Sequence, residues 1–374
     1  MKFIVSSTGL FSHLQAVSRV INSKNSLPIL DCVLMEVKEG ILSLTASDSE
    51  STLTTSLPVN DTDGNGRFAV SARKFIDSLK EIPEQPLTFE VDTNNFNIAI
   101  YYLNGKYSLV GQNADDFPLA PALRANPIHI SMASKVLVNG INRTLFATAE
   151  DELRPVMNGV YMDMTPADIT FVASDGHRLV RDKSTAAHAN TNAAFILPKK
   201  PSNIWKTLLT KGEDEVTIDF DEKNAVITAS EYKMVCRLIE GRYPNYNSVI
   251  PQDNPYKVRI DRQAMMSALR RVSVFSSQAS SLIKLHLDNN QLQISAQDID
   301  FSTSAEEILT CEYDGNPMSI GFKSTFLIDI LNNLNAEEVI IELTDPSRAG
   351  VIVPAEQEEN DDVLMLLMPM MLND

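Results

Sequence analysis

The segment Ser174-Asp175-Gly176-His177 contains the residue types that a hydrolase uses for nucleophilic attack. A serine activated by histidine needs its hydroxyl, the imidazole and a carboxylate in one specific geometry. Three such groups within four residues of one strand or turn cannot readily adopt it, and no nucleophile-elbow sequence surrounds them. A hydrolase that uses His177 remains an alternative hypothesis, which requires a pocket with a perturbed base beside a nucleophile.

The remaining residues that could support chemistry do not form a site pattern. The five histidines show no metal-ligand spacing, and Cys32, Cys236 and Cys311 are far apart with no CxxC pair. We therefore expect three reduced, buried thiols and no metal. No phosphate-binding Gly-Lys-Ser or Gly-Lys-Thr loop is present, so we expect no nucleotide and no other cofactor.

The composition is that of a large folded protein. A chain of 374 residues predicts two to three domains, and 44% hydrophobic with 22% charged residues is typical of globular proteins. The N-terminus has no apolar signal segment, and no run approaches the ~20 apolar residues of a membrane span. We expect a cytoplasmic protein. A third hypothesis, a β-rich adhesion or carbohydrate-binding module, predicts a secretion signal.

One unit occurs three times along the chain. The strand that ends in Leu44-Thr45-Ala46-Ser47-Asp48 recurs as Phe171-Val172-Ala173-Ser174-Asp175 and as Ile294-Ser295-Ala296-Gln297-Asp298. The spacings of the aspartates are 127 and 123 residues. Order and spacing both repeat, which indicates internal repeats rather than chance similarity.

Each unit combines two helical segments with alternating strands. The first helices have apolar stripes, and the second helices follow the same order: Leu10, Leu14, Val17; Leu137, Ile141; Met265, Leu269, Val272; then Phe75 with Leu79, Ile204 with Leu208 and Leu327 with Leu331. This pattern predicts an α+β fold of three repeated domains, each with two helices packed on antiparallel sheet. Turns at Asn126-Pro127 and Asn254-Pro255 place the domains at 1–126, 127–255 and 256–374.

Charge is divided unevenly between the helices and the remaining chain. The net charge is -17, yet the six helical windows hold 14 basic residues and only Asp77 and Asp329 as acids. Because a helix on a sheet buries one face, we expect its basic residues to point outward as a phosphate-binding surface. A solvated lysine face is the alternative. The predicted residues are Arg19, Arg73, Lys74, Lys135, Arg143, Lys199, Lys200, Lys206, Arg270 and Arg271.

Several local strings resemble the β subunit of bacterial DNA polymerase III, the β sliding clamp family. The most specific are Ser174-Asp175-Gly176-His177-Arg178-Leu179, Gly241-Arg242-Tyr243-Pro244-Asn245-Tyr246 and Met368-Pro369-Met370. Weaker matches accompany them in the right order: Met1-Lys2-Phe3, Ser26-Leu27-Pro28-Ile29-Leu30, Ser71-Ala72-Arg73-Lys74-Phe75 and Asp116-Phe117-Pro118.

The resemblance implies a sliding clamp, which is a processivity factor and not an enzyme. It implies a head-to-tail homodimer that forms a six-domain ring, with helices around a hole that encircles double-stranded DNA independently of sequence. It also implies tethering of the DNA polymerase III alpha subunit, the clamp loader, other polymerases and repair proteins through short peptides. In this family a loop residue at Lys24 often faces DNA.

The family carries a hydrophobic peptide pocket between its second and third domains. The corresponding residues are Met157, Ser174, Gly176, His177, Arg178, Leu179, Pro244, Val249, Leu366, Leu367, Met368, Pro369, Met370, Met371 and Leu372. The apolar tail supports this independently, because contiguous apolar side chains at a terminus must be covered. We expect Leu364 and Leu366 in a last edge strand, and Met368, Met370 and Leu372 in a groove with Leu179, Met157 and Pro244.

Two features of this chain differ from the family pattern. Met371 stands where an Arg is common, and Asn373-Asp374 extend beyond the usual terminal Leu. For the dimer contact, the resemblance places Ile82 and Tyr107 of the first domain against Val274 and Phe275 of the third. Acidic positions near that contact are replaced in part by Phe301, Thr303 and Ser304, which predicts a less ionic interface.

Overall fold

The computed structural model describes residues 1–209 and 214–372, and within them one order of elements occurs three times. Each repeat runs strand, helix, four strands, helix, three strands. The first repeat contains β1 (Lys2–Ser6), α1 (Ser7–Val17), β2 (Cys32–Lys38), β3 (Ile41–Ser47), β4 (Ser51–Pro58), β5 (Gly66–Ser71), α2 (Ala72–Leu79), β6 (Pro86–Val91), β7 (Asn97–Tyr102) and β8 (Gly105–Val110).

The second and third repeats follow the same order. The second contains β9 (Ile128–Ala133), α3 (Ser134–Thr144), β10 (Gly159–Met164), β11 (Ile169–Ser174), β12 (Arg178–Ser184), β13 (Ala193–Pro198), α4 (Lys199–Leu208), β14 (Glu215–Phe220), β15 (Asn224–Ala229) and β16 (Tyr232–Arg237). The third contains β17 (Tyr256–Asp261), α5 (Arg262–Ser273), β18 (Leu282–Asp288), β19 (Gln291–Asp298), β20 (Thr303–Thr310), β21 (Met318–Lys323), α6 (Ser324–Asn332), β22 (Glu338–Leu343), β23 (Gly350–Pro354) and β24 (Asp361–Leu367).

In the part of the chain that the structure describes, the strands form four antiparallel sheets, and the repeats share two of them. One eight-stranded sheet has the order β5-β2-β3-β4-β16-β15-β14-β9, and the other has the order β13-β10-β11-β12-β24-β23-β22-β17. The sheets β1-β6-β7-β8 and β20-β19-β18-β21 have four strands each. In both shared sheets, the fourth strand of one repeat therefore pairs with the eighth strand of the next repeat.

The predicted helix stripes form the buried faces of the helices. Leu10, Leu14 and Val17 of α1, like their counterparts in α3 and α5, are almost completely inaccessible to solvent. The start of α1 is capped by Ser6, whose side chain accepts a hydrogen bond from the Gly9 N–H. Asp261 caps α5 in the same way through the Ala264 N–H. The three cysteines are buried and free, as predicted.

The chain divides into two compact units. One comprises residues 1–135 with 203–238, and the other comprises residues 136–202 with 239 to the C-terminus. Each unit contains one eight-stranded and one four-stranded sheet. No helix within residues 1–209 and 214–372 has both the length and the apolar character needed to cross a membrane.

Candidate functional site

An apolar cluster covers one face of the shared sheet β13-β10-β11-β12-β24-β23-β22-β17. Leu179 of β12 lies directly opposite Leu366 of β24 and Ser174 of β11. The cluster, here called the outer-face cluster, contains Val172, Leu179, Ile196, Tyr243, Tyr246, Ile250, Ala349 and Leu366, with Val156, Tyr161, Ile239 and Leu364 packed against it. It joins residues of the second and third repeats within one compact unit.

The opposite face of the same strands packs against helices of the third repeat. Side chains alternate along a strand, so Val180 and Met365 point away from the outer-face cluster. Both belong to the core that contains the stripes of α5 and α6, and so does Leu367. The prediction that Leu367 lines the pocket is therefore wrong. The prediction of an edge strand is also wrong, because β24 lies between β12 and β23.

Exposed side chains surround the outer-face cluster. Val249 is 54% exposed, and Pro244 and Met368 are also accessible. Met157 is buried, and its neighbour Val156 packs against the cluster in its place. Tyr161 and Tyr243 stack with ring centroids 4.6 Å apart, which makes a rigid aromatic floor.

Arg154 lies on the rim of exposed side chains around the outer-face cluster and was not among the predicted residues. Its Nη1 lies 2.9 Å from the point where a Cβ on Gly176 would stand, so the glycine leaves room for the guanidinium. Gly176 also has a φ of +89°, a backbone conformation that side chains disfavour. Arg154 is oriented by Asp151, whose Oδ2 lies 2.8 Å from Nε. The only sequence signal was the position of Arg154 close to Met157.

The C-terminal tail crosses from the shared sheet to the edge strand β21. The Met368 N–H donates to the His177 carbonyl at 2.8 Å, and the Met370 N–H donates to the Gly321 carbonyl at 2.8 Å. Pro369, between them, has no N–H to satisfy. Gly321 permits the close approach, because a Cβ there would lie 2.6 Å from the Met370 carbonyl oxygen.

The tail side chains are distributed differently from the prediction. Leu366 lies in the outer-face cluster, and Leu364 packs against it. Leu372 instead lies beside Gly321 and Leu282, over the sheet of the third repeat, so its predicted place next to Leu179 is wrong. Met371 is 81% exposed. The Asn373-Asp374 extension falls outside the described residues.

The side chain of Arg178 does not face the outer-face cluster. Its guanidinium carbon lies 5.1 Å and 4.5 Å from the ring centroids of Phe146 and Phe326. Its nitrogens bond Asp175 Oδ2 at 3.0 Å and Asp329 Oδ2 at 2.7 Å. The predicted pocket role of this side chain is wrong, because strand alternation turns it to the helix side.

The polar groups of Ser174 to His177 build a turn and not a catalytic site. Ser174 Oγ donates to the Arg178 carbonyl at 2.8 Å and accepts from the Gly176 N–H at 3.2 Å. Asp175 Oδ1 accepts from the backbone N–H groups of His177 and Arg178 at 2.9 Å each. The His177 ring is tilted against Phe326, with centroids 6.0 Å apart. The serine hydroxyl therefore bonds backbone groups and is not paired with the imidazole.

Most of the predicted phosphate-binding residues are exposed. Lys199 and Lys200 are half-buried at the start of α4, and Lys199 Nζ lies 3.3 Å from Glu150 Oε1. Arg271 is exposed but pairs with Glu307 of β20, at 3.0 Å from Nε to Oε2. The exposed residues of the set are Arg19, Lys24, Arg73, Lys74, Lys135, Lys206, Arg270 and Arg271.

Arg143 is buried, so its predicted contact with phosphate is wrong. It is 9% exposed and lies among three carboxylates: Asp182 Oδ1 at 3.2 Å, Asp361 Oδ2 at 2.6 Å and Glu358 Oε2 at 3.1 Å. Burial raises the pKa of Asp182 to about 6, against the opposing effect of Arg143 and with the help of the two other acids. Arg143 thus ties α3 to β24 of the next repeat.

The residues predicted for a dimer contact lie at the free four-stranded sheets and helix ends. Val274 and Phe275, just after α5, are exposed. Tyr107 of the edge strand β8 is half-buried and donates its hydroxyl to the Ser78 carbonyl at 3.3 Å. Ile82 is buried within its own repeat, so the predicted role as an exposed contact is wrong for this side chain.

Three consecutive segments of the chain match domain models of one protein family. Residues 1–121, 131–245 and 247–371 match the N-terminal, central and C-terminal domains of the DNA polymerase III beta subunit. The chain belongs to the DNA polymerase III beta subunit family. This confirms the predicted family and the predicted fold class.

Relatives of this beta subunit match it from end to end. A Beta sliding clamp of Pseudomonas aeruginosa is 29% identical over 373 residues, and one of Synechococcus elongatus is 29% identical over 383 residues. Both alignments cover all of both chains. The crystal structure of the DNA polymerase sliding clamp from Pseudomonas aeruginosa superposes with a TM-score of 0.93, also over all of both chains. The family consists of non-catalytic processivity factors, so the prediction of a clamp rather than an enzyme is confirmed.

Proposed function

We propose that this chain encircles duplex DNA as a head-to-tail homodimer and tethers replication proteins through the outer-face cluster. Membership of the beta subunit family carries the proposal. We assign the domains to 1–126, 127–255 and 256–374, between the last strand of each repeat and the first strand of the next. We place the protein in the cytoplasm, where replication takes place in bacteria.

The free strand edges support the proposed dimer. Both junctions inside the chain pair the fourth strand of one repeat with the eighth strand of the next, as β4 with β16 and β12 with β24. The third repeat's fourth strand, β20, and the first repeat's eighth strand, β8, remain as free edges. Pairing β20 of one copy with β8 of another repeats the same junction, and two such contacts close a symmetric ring.

The internal junctions also predict the register of this pairing. In each repeat, one residue of the fourth strand pairs with the residue just before the repeated aspartate. These residues are Thr52, Leu179 and Ser304, and they are therefore equivalent. The same alignment of the eighth strands places Ser304 opposite Ser108, and hence Glu306 opposite Lys106. A cross-strand pair of opposite charge favours this register. It also places Tyr107 on the helix side, towards Phe275.

The exposed basic residues on the helices are proposed to face the DNA. Arg73 and Lys74 on α2, Lys206 on α4 and Arg270 on α5 carry positive charge on a chain with a net charge of -17. Contacts to phosphates are independent of sequence and weaken with salt. The acidic remainder repels the duplex, so the protein slides and is held by ring closure rather than by tight contact.

The outer-face cluster and its rim are proposed to bind the peptides of polymerases and the clamp loader. Leu179, Leu366 and the stacked tyrosines offer an apolar floor, and Met368 beside them provides an adaptable edge. Arg154, on the rim, can bond acidic or carbonyl groups of a peptide. This charge compensates in part for the absence of an Arg at Met371.

Retention on circular DNA tests the proposed function. The purified protein, loaded on a closed plasmid by its clamp loader, should co-elute with the plasmid in gel filtration at moderate salt. Linearising the plasmid with a restriction enzyme should release it. Equal retention on circular and linear DNA would mean that binding is by contact and not by encirclement.

A further inference from the structure

Two arginines occupy equivalent positions in α3 and α5. Arg143 lies six residues after Leu137, the first residue of the α3 stripe, and Arg271 lies six residues after Met265 in α5. Their acidic partners are also equivalent, because Asp182 lies three residues after Leu179 and Glu307 lies three residues after Ser304. The Arg271–Glu307 pair therefore repeats the Arg143–Asp182 pair on the free strand β20.

The environment of the two pairs differs. Strand β24 covers the Arg143–Asp182 pair, and there Ser184 Oγ donates to Asp361 Oδ1 at 2.9 Å. The equivalent of Ser184 on β20 is Leu309, which packs against the third repeat's core but is only half-buried. In the proposed register the residue opposite Leu309 is Leu103, at the tip of the β7–β8 hairpin.

The described residues of its own unit leave the Leu103 side chain largely uncovered. It is 84% exposed, while its backbone N–H is held by Gln85 Oε1 at 2.8 Å. A single exposed leucine is common on protein surfaces, so it is the position of Leu103 opposite Leu309 in the proposed register that marks it as an interface anchor. At the other internal junction, the β15–β16 hairpin lies beside a helix of the preceding repeat: the ring of Tyr232, the first residue of β16, is 6.2 Å from that of His13 in α1.

We propose that Leu103 of one copy packs on Leu309 of a second copy and covers the Arg271–Glu307 pair. This inference rests on the proposed dimer and identifies residues that decide its stability. The pairing of Arg271 with Glu307 also removes Arg271 from the DNA-facing set. The internal junction has the Ser184–Asp361 hydrogen bond at this position. At the subunit junction, the equivalent position has an apolar contact beside a single ion pair.

The physical consequence is a junction that separates at moderate cost. The internal cluster holds one guanidinium and three carboxylates, whereas Arg271 and Glu307 form a balanced pair. When the copies separate, that pair stays intact in water, so the surface newly exposed at this position is that of the two leucines. Removing the Leu103 side chain should therefore raise the dimer Kd about tenfold.

Sedimentation equilibrium of purified Leu103→Ala tests the inference. Leu119→Ala is the matched control, because Leu119 is 92% exposed outside the proposed junction and its loss should leave the dimer Kd unchanged. Leu309→Ala should also weaken the dimer, and the double variant should lose no more than the stronger single variant if the two leucines contact each other. Thermal melting checks that each variant is folded.

The outcomes separate this inference from the proposed dimer. Phe275→Asp and Lys106→Glu should dissociate the dimer if β8 and β20 pair at all, and Lys106→Glu with Glu306→Lys should restore it. If these variants dissociate the dimer but Leu103→Ala has a wild-type Kd, the role of Leu103 is overturned and the proposed dimer stands. Additive losses in the double variant would have the same meaning. A monomeric wild-type protein would overturn both.

Discussion

At the scale of single residues, burial decides what a charged side chain does. Arg143 and Lys135 both lie on α3, yet Lys135 is exposed and Arg143 is surrounded by acids. A buried charge is costly unless it is paired, and removing one partner leaves the other uncompensated. Arg143→Met should therefore destabilise the fold, because it removes the guanidinium that pairs with both Asp182 and Asp361.

The raised pKa of Asp182 predicts a pH dependence of stability. Its folded-state pKa of about 6 lies above its ordinary value of 3.8, so the folded state binds the proton more tightly than the unfolded state. The contribution of Asp182 to stability is then fully present below about pH 4 and is lost as pH rises through 6. The Asp182→Asn variant has no carboxyl group at this position, so its stability should lack this pH dependence.

Urea unfolding of wild type and Asp182→Asn at several pH values measures this effect. Relative to Asp182→Asn, wild type should gain about 1 kcal/mol or more between pH 7.5 and 5. Asp77→Asn, at an exposed carboxylate on α2, serves as the control. A stability difference independent of pH would mean that Asp182 is ionised throughout this range.

At the scale of elements, the tail after β24 is held by few bonds and can be altered without disturbing the core. Met365 and Leu367 lie in the core, whereas residues from Met368 onward are attached by the hydrogen bonds to His177 and Gly321. Deleting residues 368–374 should abolish binding of a polymerase-derived clamp-binding peptide in a fluorescence polarisation assay. The dimer and its melting temperature should remain close to wild type.

Gly321→Ala is a point substitution that tests the same element. Its Cβ would lie 2.6 Å from the Met370 carbonyl oxygen and would displace the tail without changing any residue of the outer-face cluster. We expect weaker peptide binding, by tenfold or more. Unimpaired binding by the deletion would place the peptide elsewhere, and unfolding of the deletion variant would mean that the tail is chiefly structural.

At the scale of the whole molecule, the division of charge predicts how the protein holds DNA. Changing Arg73, Lys199 and Lys200 to Glu should reduce loading and retention on circular DNA, while folding remains unaffected. Lys38, Lys223 and Lys233 are exposed on strands and turns, and their change to Glu provides a control of equal charge. Equal behaviour of the two triple variants would show that the effect is that of net charge and not of a helix surface.

The sequence by itself determined the repeats, the fold class and the family. Periodicity of apolar residues reflects burial on one face of a helix or strand, and that information is local. For this reason the stripes of α1, α3 and α5 were predicted correctly, as were the three buried cysteines. The strings around His177 and Pro244 carried the family resemblance because they were short and specific.

Only the tertiary structure decided which partners the charged and tail residues have. Arg143 was predicted to face outward because its acidic partner Asp361 lies 218 residues away and comes from another repeat. The inward turn of Arg178 and the central position of β24 likewise depend on pairing between repeats. Long-range pairing sets which face a side chain occupies and what covers it, and neither is encoded in local spacing.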